Sequence, residues 1–258
     1  MYEPKKELGQ NFLEDFTVIN KFIQHLDIQP NDTIVEIGPG LGAVTEKLVQ
    51  NIFDQKNQLY AVEIDDRFTA KLGEMYLEDM NVHIILSDIL EWLPKFEPKG
   101  SYKIIGSLPY YITTKIIHTI LEKDQLAERV VILIQKEVAE KIESRAPDST
   151  FISAYVQSFY NVEMIQIVPK SLFSPEPQVD GFIIKFTKKA DSPLNSDFKK
   201  YKGFLRRAYS NPRKMLNKVF SNEECTLGNI DPAKRAQDYD APDWLSMFNK
   251  LKERLPEE

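Results

Sequence analysis

The chain has 258 residues, 42% of them hydrophobic, and a formal net charge of -6, which fits one large core with a small second domain and argues against indiscriminate nucleic-acid binding. No apolar run approaches the ~18 residues that cross a bilayer, and residues 1–7 lack the apolar centre of a signal peptide, so we expect a cytoplasmic protein without a membrane partner. The single cysteine, Cys225, excludes an internal disulfide, and three histidines without ligand spacing lead us to expect no metal.

The chain begins with a predicted loop and a helix. Residues 5–13 show no apolar periodicity and combine a glycine with amide side chains, which is typical of a loop. Asp15 can act as the N-cap of the helix that follows, because its carboxylate can accept hydrogen bonds from free backbone N–H groups. The apolar face of this helix extends to about Asp27.

Residues 33–48 have the pattern of a buried strand, a glycine turn and a helix. The turn contains Gly38, Gly40 and Gly42. Glycine there allows positive φ and lets a ligand lie on the backbone, while the helix start offers free N–H groups. We therefore expect a ligand at this turn. The spacing up to Ala43 also fits the dinucleotide fingerprint, so two kinds of nucleotide site remain open from this segment alone.

Carboxylates follow the next two predicted strands. Glu63, near the end of the second strand, can accept hydrogen bonds from both ribose hydroxyls of an adenosine. The alternative is that Glu63 only caps the helix beginning near Asp65. A third strand at residues 82–88 ends in Asp88. Because ligands bind at the carboxyl ends of strands in open α/β sheets, Glu63 and Asp88 should face the same crevice.

The remaining strands define the predicted architecture. A fourth strand lies at residues 102–107, and an apolar fifth strand at residues 129–135 should be central. Two further strands are predicted at residues 161–168 and 181–186. Because only a short, helix-free loop joins them, we expect an antiparallel pair at the sheet edge. The alternation of strands and helices predicts an α/β fold with a Rossmann-like, doubly wound, mostly parallel sheet and an antiparallel edge pair.

Beyond Lys189 the pattern becomes helical. Ser192–Pro193 marks the predicted boundary between a domain of residues 1–191 and a small, all-helical domain of residues 192–258. Residues 198–220 carry many lysines and arginines but no aspartate or glutamate. A solvated helical face, the alternative, would normally include acidic partners at i,i+4, so we predict a contact with a polyanion.

The motifs resemble those of a known family of enzymes. The glycine turn with Glu36, Glu63 and Asp88 resembles the S-adenosylmethionine site of Rossmann-like methyltransferases, and Ser107-Leu-Pro-Tyr110 resembles a motif of amino-methyltransferases that act on nucleobases. The latter motif separates the chain from dinucleotide enzymes. Four further stretches resemble one family, the small-subunit (16S) ribosomal RNA adenine-N6 dimethyltransferases of the KsgA/RsmA type. These stretches are Leu8–Leu13, Gln135–Glu140, Phe173–Asp180 and Arg206–Leu216. Together they extend the resemblance over nearly the whole chain.

This resemblance implies S-adenosyl-L-methionine as the cofactor. Asn11 and Leu13 would close over it, Gly38 would contact its methionine portion, Glu63 would bind its ribose diol, and Asp88 would accept a hydrogen bond from its adenine amine. The implied cofactor-binding residues are Asn11, Leu13, Glu36, Gly38, Gly40, Glu63, Asp88 and Ser107.

The implied reaction is methyl transfer to the exocyclic amine of an adenine, a poor nucleophile because its lone pair is delocalised into the ring. Ser107 and the backbone carbonyl of Leu108 or Pro109 would orient this amine, and orientation can lower a barrier by ~7–11 kcal/mol. The base must leave its helix or loop. Tyr110 and Phe173, the latter in a loop that we expect to be exposed, would then stack on its two faces at ~1–3 kcal/mol each.

The motif differs from the family pattern at two positions. Ser107 stands where the family has asparagine, and a hydroxyl reaches less far than a carboxamide. Tyr111 stands where the family often has asparagine, and we assign it no role from the sequence.

The predicted function is N6 dimethylation of two adjacent adenines near the 3' end of 16S ribosomal RNA, with a role in small-subunit biogenesis. The small subunit is the expected partner, and we expect a monomer. One rival is the large-subunit (23S) methyltransferase family of macrolide resistance, which Gly9 and Val179–Asp180 disfavour. Another is a non-catalytic ribosome-assembly factor, or a mitochondrial transcription-factor relative, on the same fold. The implied RNA-binding residues are Arg206, Arg207, Arg213 and Lys214.

Overall fold

The computed structural model describes residues 3–5, 8–52, 56–190 and 197–255. Seven strands form one sheet, and two short strands pair separately. The strands are β1 (Phe12–Leu13), β2 (Thr33–Ile37), β3 (Gln58–Glu63), β4 (Val82–Leu86), β5 (Tyr102–Ser107), β6 (Arg129–Gln135), β7 (Tyr160–Val168), β8 (Phe173–Ser174) and β9 (Gly181–Lys188).

Helices connect these strands and form the C-terminal part of the chain. Short 3₁₀ turns occur at Leu93–Lys95, Lys170–Leu172, Leu216–Lys218, Ala236–Asp238 and Lys252–Arg254. The α-helices are α1 (Phe16–Gln24), α2 (Ala43–Asn51), α3 (Asp66–Met75), α4 (Ile89–Trp92), α5 (Thr113–Leu121), α6 (Lys136–Glu143), α7 (Phe151–Phe159), α8 (Phe198–Ala208), α9 (Asn222–Gly228) and α10 (Ala241–Leu251).

The large sheet has the strand order β4-β3-β2-β5-β6-β9-β7. β2 to β6 run parallel to one another, and β9 is antiparallel to β6. The α/β fold class is therefore confirmed, including the antiparallel strands at the edge. Register pairs Ile37 with Val62 and with Gly106, so β2, β3 and β5 end at the same level. This common edge provides the floor of the site described below.

Local sequence signals account for the first helix. The carboxylate of Asp15 accepts a hydrogen bond from Val18 N at 2.9 Å, as an N-cap should. Ile19 and Phe22, spaced as on one helical face, are fully buried in the core beside β2. The predicted cap and the predicted apolar face of α1 are both confirmed.

Part of the predicted N-terminal loop is a strand. β1 pairs antiparallel with β8, and the register places Leu13 opposite Phe173. The segment joining β7 to β9 also contains β8 and a 3₁₀ turn, so the prediction of a helix-free loop there was wrong. Both differences arise because two short segments far apart in the chain satisfy each other's backbone hydrogen bonds, which neither segment indicates by itself.

The chain divides into two compact units, Met1–Ala139 with Glu163–Thr187, and Glu140–Val162 with Lys188–Glu258. Residues 140–162 thus group with the C-terminal helices. The predicted domains of residues 1–191 and 192–258 stay a prediction, and the predicted boundary at Ser192–Pro193 lies outside the described residues. No helix in the described ranges combines the length and the apolar character needed to cross a membrane.

The second unit has its own aromatic core. Trp244 on α10 is fully buried, and its ring meets Phe204 of α8 edge-on at 5.7 Å between centroids. The buried hydroxyl of Tyr201 bonds to Ser158 on α7 at 2.5 Å, and Trp244 Nε1 donates to the Tyr209 hydroxyl at 3.2 Å. Aromatic packing of this kind stabilises a small helical unit, because each ring buries a large area and the polar atoms of Tyr201 and Trp244 have partners.

Candidate active site

A cavity of about 350 Å³ lies at the carboxyl ends of β2, β3 and β5. Its walls come from residues 8–14, the turn after β2, the end of β3 and the segment that follows β5. The structure thus brings together all the residues predicted for the cofactor and for the target base. They are Asn11, Leu13, Glu36, Gly38, Gly40, Glu63, Asp88, Ser107, Leu108, Pro109, Tyr110 and Phe173.

The turn after β2 leaves bare backbone facing the cavity. Gly38 and Gly40 have φ values of 65° and 55°, in the left-handed region that favours glycine. A Cβ atom at Gly40 would also lie only 3.0 Å from Cε1 of Phe12. The Phe12 ring in turn meets Phe68 edge-on, with centroids 5.5 Å apart. Phe12 belongs to the pocket wall, yet the sequence analysis did not assign it a role.

Glu63 is a buried carboxylate bound by three backbone N–H groups. Its Oε2 accepts from Gly40 at 3.0 Å, and its Oε1 accepts from Ile64 and Asp65 at 2.9 Å each. Burial raises the pKa of Glu63, and these hydrogen bonds oppose the rise. Asp65, whose Oδ1 accepts from Arg67 N, is the N-cap of α3. The alternative in which Glu63 serves as that cap is therefore wrong.

Glu36 is a second buried carboxyl in this wall, near the end of β2. It is only 1% exposed, and its Oε2 has no hydrogen-bond partner in the described part of the protein. Burial raises its pKa to about 8. An unsatisfied buried oxygen is costly, so this position fits a ligand that brings a cationic or N–H group to the wall.

The N-terminal segment is held beside the end of β3 by polar contacts. Gln10 Nε2 donates to Asp65 Oδ2 at 2.8 Å, and Lys5 Nζ lies 3.3 Å from Asp65 Oδ1. Hydrogen bonds from Arg67 hold the pKa of Asp65 well below its usual range. Asn11 Nδ2 donates to Gly9 O at 3.1 Å. The segment predicted to cover a cofactor thus borders the cavity, and Gln10 and Lys5 are supports that the sequence analysis missed.

Asp88 follows β4, the strand next to β3 in the sheet. It is the N-cap of α4, and its Oδ1 accepts from Leu90 N at 2.8 Å. This bond fixes the orientation of the carboxylate, which is half-buried in the pocket wall. Asp88 therefore combines a local structural role with a position from which a ligand can be bound.

The segment after β5 carries the residues predicted to bind the target base. Leu108 N donates to Leu133 O at 2.9 Å, which ties the segment to β6. The Pro109 carbonyl already accepts two hydrogen bonds, from Ile112 N at 3.2 Å and from Thr113 Oγ1 at 3.0 Å. Burial raises the pKa of Tyr110 to about 12, and its hydroxyl has no partner among the described residues.

Phe173 differs from its predicted environment. It is 6% exposed and packs in the core beside Leu13, so the expectation of an exposed loop was wrong. The reason is the pairing of β1 with β8, which covers this residue. Phe173 nevertheless lines the cavity, so its ring remains within the site.

The predicted RNA-binding arginines have different environments. Arg206, Arg213 and Lys214 are exposed. Arg207 is bound to Glu224 through two hydrogen bonds, of 2.5 and 2.8 Å, donates to Val219 O and lies over the Phe220 ring. The expectation that the cations of residues 198–220 lack acidic partners was therefore wrong for Arg207. Its partner, Glu224, lies on α9, outside this range.

Metal ligands are not assembled in the described residues, where no three His, Cys, Asp or Glu side chains are grouped to hold an ion.

Comparisons with known proteins agree with this geometry. The model of the family described as "Ribosomal RNA adenine dimethylase" matches residues 1–253. A "Ribosomal RNA small subunit methyltransferase A" of Mycoplasmopsis pulmonis (strain UAB CTIP) is 38% identical over 258 residues, covering 96% of this chain and 99% of the relative. The protein of that name from Sulfurihydrogenibium sp. (strain YO3AOP1) is 34% identical over 250 residues, 95% of either chain.

Among solved structures, a dimethyladenosine transferase from Plasmodium falciparum superposes with a TM-score of 0.80, covering 94% of this chain and 98% of its own. At 23% identity this likeness supports the fold alone.

Proposed function

The chain belongs to the ribosomal RNA adenine dimethylase family, and on that premise we propose that it transfers methyl groups from S-adenosylmethionine to adenine N6 in the RNA of the small ribosomal subunit. The proposed targets are two adjacent adenines near the 3' end of 16S RNA, each dimethylated. The observation that carries this proposal is one cavity holding both the carboxylates suited to an adenosine and the Ser107–Tyr110 segment suited to a flipped base.

The cavity fits the proposed cofactor. Gly38 leaves bare backbone on which a ligand can lie, because a Cβ there would meet nothing within 4 Å, and the buried Oε2 of Glu36 lacks a partner that a cationic ligand would provide. When bound, the cofactor supplies a sulfonium-activated methyl group. Glu63 and Asp88 would hold its adenosine, while residues 11–13 would close over it.

The segment after β5 would orient the target amine. Ser107 Oγ would accept a hydrogen bond from one N–H of the adenine N6 amino group. A backbone carbonyl would accept a hydrogen bond from the second N–H. The Leu108 carbonyl suits this role better than that of Pro109, which already accepts two hydrogen bonds. In the first transfer two acceptors would direct the nitrogen lone pair toward the methyl group, and such positioning can lower the barrier by ~7–11 kcal/mol. The nitrogen would then release one proton to solvent, and in the second transfer its remaining N–H would bond to one of the two acceptors.

Two aromatic rings would hold the base. Tyr110 is half-buried and so offers part of its ring to a ligand, whereas Phe173 is buried beneath the pairing of β1 with β8 and lines the cavity. Stacking on the two rings would offset the few kcal/mol needed to extract the base.

The exposed cations of the C-terminal unit would contact the RNA backbone. We assign this role to Arg206, Arg213 and Lys214, while Arg207 serves mainly to hold α8 to α9. The monomeric state and the cytoplasmic location stay predictions.

The direct test uses purified protein, radiolabelled S-adenosylmethionine, and purified small and large ribosomal subunits that lack the modification. We expect label only in small-subunit RNA, and none with Glu63→Ala, which removes a carboxylate from the pocket wall. Label confined to large-subunit RNA would replace this proposal with the macrolide-resistance function. Cofactor binding without transfer to either subunit would favour the non-catalytic assembly factor.

A further inference from the structure

Tyr111 is an exposed aromatic residue in the wall of the active-site cavity. The residue is 57% exposed, whereas the neighbouring Tyr110 is half-buried. Its ring is supported from one side by Gly9, where a Cβ atom would lie 3.2 Å from Tyr111 Cδ1. Gly9 also has a φ of 60°, so a larger residue there would be strained as well as crowded. The ring is therefore held in place while most of it stays open to a ligand.

Lys115 lies four residues further along, in the first turn of α5, and lines the same cavity. Among the described residues of the cavity wall it is the only lysine or arginine, and it makes no ion pair within the described chain. The wall also contains four carboxyl residues, Glu14, Glu36, Glu63 and Asp88. An RNA phosphate entering beside this wall would be repelled by its ionised carboxylates, a set that excludes Glu36 near neutral pH because burial raises the pKa of Glu36 to about 8, and one ammonium group in the wall would offset that repulsion.

We propose that Tyr111 and Lys115 bind the nucleotide adjacent to the target adenine, with its base stacked on the Tyr111 ring and its phosphate beside the Lys115 ammonium. This inference rests on the proposed function, since it concerns the strand from which the target base is taken. An aromatic ring and a cation in the wall of one cavity, as Tyr111 and Lys115 are, suit the binding of single-stranded nucleic acid. Tyr110 and Phe173 hold the target base itself, so Tyr111 contacts a different nucleotide.

A competing role for Lys115 is to bind the carboxylate of the cofactor. The two roles differ in which affinity a substitution changes. Replacing Lys115 would weaken cofactor binding in one case and RNA binding in the other. Separate measurements of the two affinities therefore distinguish the two roles.

The experiment uses unmodified small ribosomal subunits and S-adenosylmethionine with wild-type protein, Tyr111→Ala, Tyr111→Phe and Lys115→Gln. Steady-state methyl transfer gives kcat and KM, filter binding gives Kd for subunits over a salt series, and equilibrium dialysis gives Kd for the cofactor. Matched controls are Phe16→Ala and Lys47→Gln, because Phe16 is also 57% exposed and has Lys47 over its ring, but neither lines the cavity.

We expect Tyr111→Ala to raise KM and Kd for subunits about tenfold, as the loss of one base stack predicts, and Tyr111→Phe to retain wild-type values. Lys115→Gln should lower the slope of log Kd against log salt by about one. Both variants should bind the cofactor like the wild type, and the two control variants should behave like the wild type throughout.

Unchanged subunit affinity in Tyr111→Ala would overturn the proposal, and so would a fall in kcat with KM unchanged. Weaker cofactor binding by Lys115→Gln would assign that residue to the cofactor and overturn its RNA role. If the wild type bound subunits but transferred no methyl group, the proposed function would fail. The comparison of subunit affinities would still decide this inference.

Discussion

At the scale of single residues, Glu36 makes the protein sensitive to pH. Its pKa is raised by burial to about 8, from an ordinary value of 4.5. Below about pH 4.5 the carboxyl is protonated in both the folded and the unfolded chain, so it has no effect on stability. As the pH rises toward 8 the unfolded chain loses this proton first, and the folded state is progressively destabilised.

We predict that Glu36→Gln raises the free energy of unfolding above pH 5, by up to about 1.4 kcal/mol per pH unit until about pH 8. The substitution keeps the shape of the side chain but removes its titration. Urea unfolding at pH 4, 6 and 8 measures the effect, and the pH 4 comparison serves as the control. An equal change at all three pH values would contradict the assignment of a raised pKa.

Arg206 and Arg207 are adjacent arginines with different environments. Arg207 holds Glu224, a half-buried carboxylate whose pKa falls to about 2 mainly through the hydrogen bonds from Arg207. A carboxyl with a lowered pKa stabilises the fold above its ordinary pKa of 4.5, and this contribution disappears as the pH falls through 2. Arg206 is exposed and makes no such contact in the described structure.

We therefore predict that Arg207→Gln lowers stability by about 1–2 kcal/mol at pH 7, a value discounted for partial exposure, and that the loss shrinks below pH 4.5. The matched variant Arg206→Gln should change stability by less than about 0.5 kcal/mol but weaken binding to small subunits. Equal stability losses in the two variants, measured by urea unfolding, would show that the Arg207 pair has no special role.

At the scale of elements, the strand–turn–helix unit from β2 to α2 depends on Gly40. Alanine there would have a positive φ, at a cost of roughly 1–2 kcal/mol, and its Cβ would press on the Phe12 ring at 3.0 Å. Since Phe12 forms part of the cavity wall, its displacement also disturbs the ligand site.

We predict that Gly40→Ala destabilises the protein by about 1–2 kcal/mol and weakens S-adenosylmethionine binding by about tenfold, equivalent to roughly 1.4 kcal/mol. The control is Gly73→Ala within α3, where a Cβ meets nothing within 4 Å and φ is ordinary, so stability should rise by about 0.5–1 kcal/mol. Thermal unfolding and equilibrium dialysis measure the two effects. Wild-type cofactor affinity in Gly40→Ala would contradict this account of the turn.

Elements also show what the sequence could predict. β2, the glycine turn and the Asp15 cap depend on signals within a few residues, and each was predicted correctly. The burial of Phe173 and the pairing of Arg207 with Glu224 depend on segments that meet only after folding. No local pattern marks such contacts, so the exposed environment predicted for Phe173 was wrong, and the acidic partner of Arg207 was missed because it lies outside residues 198–220.

At the scale of the whole molecule, charge is distributed unevenly. The chain carries a net charge of -6, yet five exposed cations, among them Arg206, Arg213 and Lys214, belong to the C-terminal stretch of residues 198–220. If this stretch contacts RNA phosphates, it is the local charge and not the total charge that sets the affinity.

We predict that changing Arg206, Arg213 and Lys214 to glutamine lowers the slope of log Kd against log salt for small subunits by about two to three. A control protein in which the exposed Lys21, Lys56 and Lys99 become glutamine has the same net charge, and its slope should stay near that of the wild type. If the slope of log Kd against log salt fell as much in the control protein as in the test variant, the net charge and not the C-terminal stretch would determine binding.

We propose above that this cavity dimethylates adenine N6 with a serine at position 107. Mass spectrometry of nucleosides and RNA fragments from unmodified small subunits, incubated with the protein and S-adenosylmethionine, tests this activity. We predict N6,N6-dimethyladenosine at two adjacent positions near the 3' end, and much less product with Ser107→Ala. Intact adenines at those positions, despite measured cofactor binding, would contradict this proposal.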